Sequence, residues 1–261
     1  MNDQFKAGLV QTTVAWKKPK DNLLHFQELI ENCKTSPDLF ILPEMFTTGF
    51  LNEPSAFAEP MNGPSVTWMS QIAVKHGVYI AGSLIISDSG KYFNRFVIAS
   101  PQSKFQYYDK RHLFRMNGEE SLYNSGYQRS VFNIGNWRIC PMVCYDLRFP
   151  VWSRNRNDYD ILIYTANWPQ VRINVWKILL QARAIENLSY CIGVNRTGVD
   201  GNGISYNGQS RAVDFKGKIL AELQSDFNGI EIVELSKQKL EQFRGDFPAQ
   251  NDADRFYIEN K

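Results

Sequence analysis

Glu44, Lys110 and Cys144 each stand just past an apolar run: Phe40–Leu42, Phe105–Tyr108 and Trp137–Val143 respectively. In α/β proteins strand ends gather along one edge of a sheet, so residues far apart in sequence meet there. A carboxylate, an ammonium and a thiol form a workable chemical set. The thiol needs a base to become a thiolate, and a carboxylate supplies one. The ammonium favours the thiolate and holds the oxyanion that forms when sulfur attacks a carbonyl. A cysteine kept for packing sits inside an apolar run, as Cys140 does, whereas Cys144 ends one. Asp146, Arg148, Phe149 and Pro150 follow it at once. The two charges are expected to pair and lock the turn that aims the thiol.

Other cysteine chemistries fit less well. His112 lies beside Lys110, and His25 and His76 fall in helical stretches, so no histidine follows a strand as Glu44 and Lys110 do. His112 is expected to pack the loop rather than serve as a base. The spacing of Cys140 and Cys144 matches no zinc pattern, and no metal is expected. Cys33, Cys140 and Cys191 read as small buried hydrophobes.

The elements that must position these groups alternate along the chain. Strands are expected over Phe5–Thr12, Asp38–Leu42, Lys104–Asp109, Val131–Ile134, Trp137–Val143, Ile161–Thr165, Ser189–Asn195, Gln209–Asp214 and Gly229–Glu234. Val78–Ile86 and Tyr92–Ala99 read as a hairpin turning at Asp88–Gly90. Helices are expected over Pro19–Cys33, Pro64–His76, Asn174–Asn187 and Ser236–Arg244, the first with Leu23, Leu24, Phe26, Leu29, Ile30 and Cys33 as its apolar stripe. Residues 110–130 show no period and read as a loop. No linker or repeat interrupts the chain. One α/β domain with mixed sheets is expected over residues 1–261, with 245–261 as a polar, aromatic-bearing tail.

Composition excludes several classes. The 261 residues are 43% hydrophobic and 21% charged with a formal net charge of +2, ordinary for a globular protein. No long run of like charge asks for nucleic acid or an anionic membrane. No apolar stretch is long enough to span a bilayer. The N-terminal MNDQFKAGLVQ lacks the basic-then-apolar pattern of a leader, and a cytoplasmic location is expected.

LPEMF around Glu44, DKRHLF around Lys110 and VCYDLRFP around Cys144 resemble, in order, the three signature segments of the nitrilase, or carbon–nitrogen hydrolase, superfamily. The likeness continues through YTANWP (164–169), QARAIEN (181–187) and VNRTGVDGNG (194–203), and is greatest to the bacterial omega-amidase branch. It implies a four-layer α-β-β-α sandwich with two mixed sheets, a Glu44–Lys110–Cys144 triad and no cofactor. Amide hydrolysis would run through a cysteine thioester, with Lys110 and the backbone N–H of Tyr145 holding the oxyanion. The family's second glutamate has two candidates, Glu119 and Glu120. Glu119 stands at the family's distance from Gly126 and is the expected one. The implied substrates are short dicarboxylic monoamides such as 2-oxoglutaramate and 2-oxosuccinamate.

An anionic substrate calls for a guanidinium. Arg172 is the first candidate, then Arg115, then Arg196, and Phe46, Trp168 and Met116 are expected apolar walls. Helix 174–187 is apolar on more than one face, through Trp176, Leu179, Leu180 and Ile185, and so asks to be covered on more than one side. The resemblance places it at a two-fold interface, with Phe247, Phe256 and Tyr257 of the tail reaching toward the partner. A homodimer is expected. Two other readings stand beside the amidase: another carbon–nitrogen hydrolase, such as a nitrilase or carbamoyl-amide hydrolase, and an inactive dimeric binding protein. The last would be expected to lack a triad member, and none is missing.

Overall fold

Alternation of side chains along the first strands sets the layering. In the computed structural model, which describes residues 3–259, β1 (Gln4–Gln11) sends Phe5, Ala7 and Leu9 to one core and Val10 to another. After α1 (Pro19–Glu31), β2 (Leu39–Ile41) repeats the division, with Leu39 and Ile41 on one side and Phe40 on the other. The short α2 (Pro54–Phe57) precedes α3 (Pro64–His76), which ends at Gly77 in the left-handed conformation (φ 67°). Phe26 and Ile30 of α1 and Val66, Met69 and Ile72 of α3 cover the Val10–Phe40 side. Leu24, expected in the stripe of α1, faces solvent, and Cys33 lies beyond the helix end.

β3 (Tyr79–Asp88) and β4 (Lys91–Ala99) form the expected hairpin, turning through Ser89 and Gly90, both at positive φ. β5 (Phe105–Asp109) completes a six-stranded sheet of order β14-β1-β2-β3-β4-β5, closed at its far edge by β14 (Gly229–Ser236). The second six-stranded sheet is built from β6 (Phe132–Ile134), β7 (Trp137–Val143), β8 (Ile161–Ala166), β9 (Tyr190–Asn195), β12 (Arg211–Val213) and β13 (Ile219–Glu222), in the order β13-β12-β9-β8-β7-β6. The short α4 (Pro150–Ser153) follows β7, and β10 (Thr197–Val199) with β11 (Ser205–Asn207) makes a separate hairpin. Read from β14 and from β6, both sheets run antiparallel, parallel, parallel, antiparallel, antiparallel.

The inner faces of the two sheets meet in the main core, where Leu9, Ile41 and Phe96 join Ile139, Ile163 and Ile192. α5 (Ile173–Glu186) covers the outside of the second sheet. It sits close because Gly193 on β9 has no side chain: a Cβ there would lie 2.4 Å from Leu180 and 2.6 Å from Trp176. α6 (Lys237–Asp246) is fastened by buried Asp160, which accepts from Arg138, Lys237 and Arg244. Burial works to raise that carboxyl, but the bonds from Arg138 and Lys237 prevail and hold it at about 2. The layers are therefore helix, sheet, sheet and helix, as expected. Among the described residues, no helix is long and apolar enough to cross a membrane.

Candidate active site

Cys144 closes β7 and opens a tight turn over Cys144–Arg148. Its φ is 42°, a left-handed conformation that residues with a Cβ seldom adopt and that costs on the order of 1–3 kcal/mol. Asp146, fully buried, holds this turn. Its Oδ2 accepts from Val143 N (3.0 Å) and Tyr108 Oη (2.8 Å). Its Oδ1 accepts from the backbone N and ring Nδ1 of His112 (2.9 and 2.8 Å). His112 in turn stacks on Phe149 with ring centroids 3.9 Å apart. The expected Asp146–Arg148 pair is not what locks the turn. Asp146 is engaged by Tyr108, His112 and Val143, and Arg148 lies over the Trp168 ring at 5.2 Å, facing the pocket.

Glu44 leaves β2 through Leu42 and Pro43 and is fully buried. Its Oε1 accepts from Asn94 Nδ2 (2.8 Å) and Lys110 Nζ (3.0 Å), and its Oε2 from Asn167 N (2.8 Å). Asn167, at the end of β8, also donates through Nδ2 to the Glu44 carbonyl (2.7 Å), so the two sheets are stitched together at this point. Lys110 follows β5, and Gly126 brings the loop beyond it back onto the strand end. Gly126 N donates to Lys110 O at 2.9 Å, and a Cβ on Gly126 would meet Asp109 O at 2.1 Å. Within that loop Glu119 is buried and bonds Lys110 Nζ through both oxygens (3.0 and 2.9 Å), while Glu120 is exposed. Phe114 N also donates to Glu119 Oε2 (2.6 Å).

Burial alone would depress the Lys110 ammonium, but Glu119 and then Glu44 raise it well above its ordinary value, so it stays charged. Burial raises the Glu119 carboxyl, partly offset by Lys110. The Cys144 thiol is pushed well up, first by burial and then by the Glu44 charge, and Lys110 offsets this only in part. The Lys110 charge does favour the thiolate, as expected, but burial and the Glu44 charge outweigh it. Lys110 is shared between the two carboxylates.

These groups open into a cavity of about 220 Å³. Arg172, Trp168 and Met116 line it, as expected, and Tyr145 lines it too. Arg172 lies over the Phe114 ring at 5.4 Å, Trp168 is almost fully buried, and Met116 is 84% exposed at the mouth. Three expected residues lie elsewhere. Phe46 packs against Phe26 and Trp68 in the core beneath α1 and α3, because it points away from the side that Glu44 faces. Arg115 is exposed on the turn 115–117 and does not line the cavity. Arg196 is buried, donating to Thr197 O and Val14 O beneath the Tyr206 ring. The cavity also contains Arg148, Phe50, Phe114, Asn167 and Tyr206, none of which the sequence singled out as pocket residues. Arg148 was visible in the cysteine motif. Asn167 stands just past a strand, as Glu44, Lys110 and Cys144 do, and that was its signal.

The chain matches the model of the carbon-nitrogen hydrolase family over residues 6–245. It is 44% identical to the omega-amidase YafV of Escherichia coli (strain K12), over 97% of this chain and 98% of that one. It is 31% identical to the 2-oxoglutaramate amidase of Bacillus subtilis (strain 168), over 95% and 97% of the two chains. Its fold superposes with a TM-score of 0.96 on XC1258 from Xanthomonas campestris, a CN-hydrolase superfamily protein solved with an arsenic adduct in its active site. That pair is 41% identical over 99% of this chain and 100% of the other. Matched by that family's model over most of its length and 44% identical to one relative over nearly the whole chain, the chain belongs to the carbon-nitrogen hydrolase family.

Proposed function

We propose that the protein is an omega-amidase that hydrolyses the terminal amide of short dicarboxylic monoamides, 2-oxoglutaramate and 2-oxosuccinamate among them, to the dicarboxylate and ammonia. The observation that carries this reading is one small cavity with Cys144, Glu44 and Lys110 among its lining and Arg148 and Arg172 as free cations for a carboxylate. The similarity to omega-amidases and a 2-oxoglutaramate amidase supports the substrate class.

Glu44 takes the thiol proton as sulfur attacks the amide carbon. The Lys110 ammonium and the backbone N–H of Tyr145 hold the tetrahedral oxyanion. Glu44 returns the proton to the departing nitrogen, which leaves as ammonia, and a thioester remains on Cys144. Glu44 then deprotonates water, the water attacks the thioester carbon, and the acid leaves with the thiol restored. Glu119 keeps Lys110 oriented. A thiol with this task must stay reduced, which supports a cytoplasmic location.

The guanidinium test separates substrate binding from chemistry. Arg172→Ala is expected to lower kcat/KM for 2-oxoglutaramate and succinamate at least roughly thirtyfold, mostly through KM. A neutral amide of the same length should change little, and glutamine should be a poor substrate for the wild type because its ammonium would face Arg172. Equal losses on anionic and neutral amides would make Arg172 structural and pass the role to Arg148. Ammonia release from a nitrile but not from succinamate would favour a nitrilase instead.

A homodimer is part of this reading. One domain with the tail 245–261 would pair across α5, whose Ile178 and Ile185 are 66% and 50% exposed, with Phe247 exposed as the tail begins. Phe256 lies beneath Arg156 and Tyr257 is exposed, and the last two residues of the tail fall outside the described ones. Light scattering at micromolar concentration should find twice the 30.1 kDa chain mass, and a species of 30.1 kDa alone would refute the pairing.

A further inference from the structure

Asn94 is a fully buried amide in β4, a strand whose next residues but one, Phe96 to Ala99, are all buried and apolar. An amide in such a place is costly unless its polar atoms are bonded. Ser83 Oγ donates to Asn94 Oδ1 at 2.8 Å, and Asn94 Nδ2 donates to Glu44 Oε1 at 2.8 Å and to Glu119 Oε1 at 3.2 Å. Ser83, on the neighbouring β3, accepts Met45 N–H at 2.9 Å, which leaves its one hydroxyl proton for Asn94. The bonds therefore run in one direction, from Met45 N–H through the Ser83 hydroxyl to the amide, and from the amide to both carboxylates. Turning the amide over would set its oxygen against the carboxylates and its N–H groups against a donor.

Counting acceptor sites shows what this does for Glu44. Each carboxylate oxygen has about two lone-pair sites. Oε1 of Glu44 uses both, for Asn94 and Lys110, whereas Oε2 uses one, for Asn167 N, and keeps one open. We propose that Asn94 is a positioning residue for the proton transfer: its amide, locked by Ser83, occupies Glu44 Oε1 and leaves Oε2 as the atom that receives the Cys144 proton. This rests on the reading of Glu44 as that base. The other titratable or charged groups facing Glu44 are Lys110, Glu119 and Cys144, with Tyr123 acting from further off, and all of them remain when Asn94 is changed.

The pH profile of kcat/KM for 2-oxoglutaramate tests it. A carboxylate that loses an N–H donor binds its proton more tightly, so the acid limb should move to higher pH. In Asn94→Leu the limb is expected to rise by about one pH unit, with a plateau about tenfold lower. Ser83→Ala, which frees the amide to turn, should shift the limb the same way by less, and Ser83→Thr, which keeps the hydroxyl, should restore it. A structural role alone would lower the plateau and the melting temperature without moving the limb, and that result overturns the proposal. Should Asn94→Leu not fold, the Ser83 pair decides, and equal limbs for Ser83→Ala and Ser83→Thr overturn it. Glu44→Gln separates the two levels. If it keeps activity, the base is misassigned and the proposal falls with it. If it is inactive while the limbs stay put, only the role of Asn94 falls.

Discussion

Replacing Cys144 with alanine is expected to abolish amide hydrolysis and leave the fold intact. The residue is half-buried beside the cavity, and its contacts with Asn167 O (3.9 Å) and Glu44 are ones alanine can lose without leaving a large void. Serine should be nearly as inactive as alanine. The site already raises the acid it must deprotonate, through burial and the Glu44 charge, and a hydroxyl begins far less acidic than a thiol. Ammonia release from 2-oxoglutaramate measures both variants, and activity within about tenfold of the wild type in either would remove Cys144 as nucleophile, since losing a covalent path costs far more than the roughly 1.4 kcal/mol that tenfold represents. Mass spectrometry with a slow substrate should place the acyl group on Cys144. Cys140 is sealed inside β7, where burial pushes its thiol up to about 12, and it should stay unmodified.

Lys110→Met should produce two losses that can be measured apart. Without the ammonium the oxyanion loses a donor, and kcat is expected to fall about a hundred- to a thousandfold. Glu44 and Glu119 would also be left buried together with no counter-charge, and breaking a buried pair in this way costs about 3–5 kcal/mol. Urea unfolding should therefore show a large destabilisation, and kcat should be taken on the fraction that remains folded. Arginine should not rescue the enzyme. Lys110 places one compact charge against Glu44 and both oxygens of Glu119 at 2.9–3.0 Å, a geometry that a planar guanidinium cannot copy. A folded Lys110→Met protein with near-normal kcat would make the lysine purely structural.

The sequence made some features plain and hid others for physical reasons. α3 and β7 run over the residues expected of them, because proline and glycine bracket the helix and an apolar run broken by Arg138 alone marks the strand. The β10–β11 hairpin and β13 were missed: three or four residues each, they are too short to show a period. Glu44, Lys110 and Cys144 were legible because each stands where a strand ends. Arg148 was seen but given the wrong partner, since closeness in sequence suggested an ion pair while the turn sends Asp146 inward and Arg148 toward Trp168. Phe46 failed for a related reason, because a neighbour of Glu44 in the chain need not share its side. Asn94 left one faint mark, an amide within a strand otherwise apolar toward its end, and only its partners explain it.

The two sheets follow the same succession of pairings, and the bonds that complete the site pass between them. Glu44 leaves the first sheet and Asn167 the second, and their contacts span 123 residues of chain. Closing so long a loop is entropically costly and is repaid only when distant parts meet, so contacts of this kind form late in folding. The neighbouring strands β1–β5 and β6–β9 could gain their own hydrogen bonds first, before β14 closes on β1, and still have no function, since the base and the nucleophile would sit on separate pieces. Activity recovered during refolding therefore reports the docking of sheet on sheet rather than the formation of strands, and a chain halted before that step would have native-like secondary structure and no catalysis.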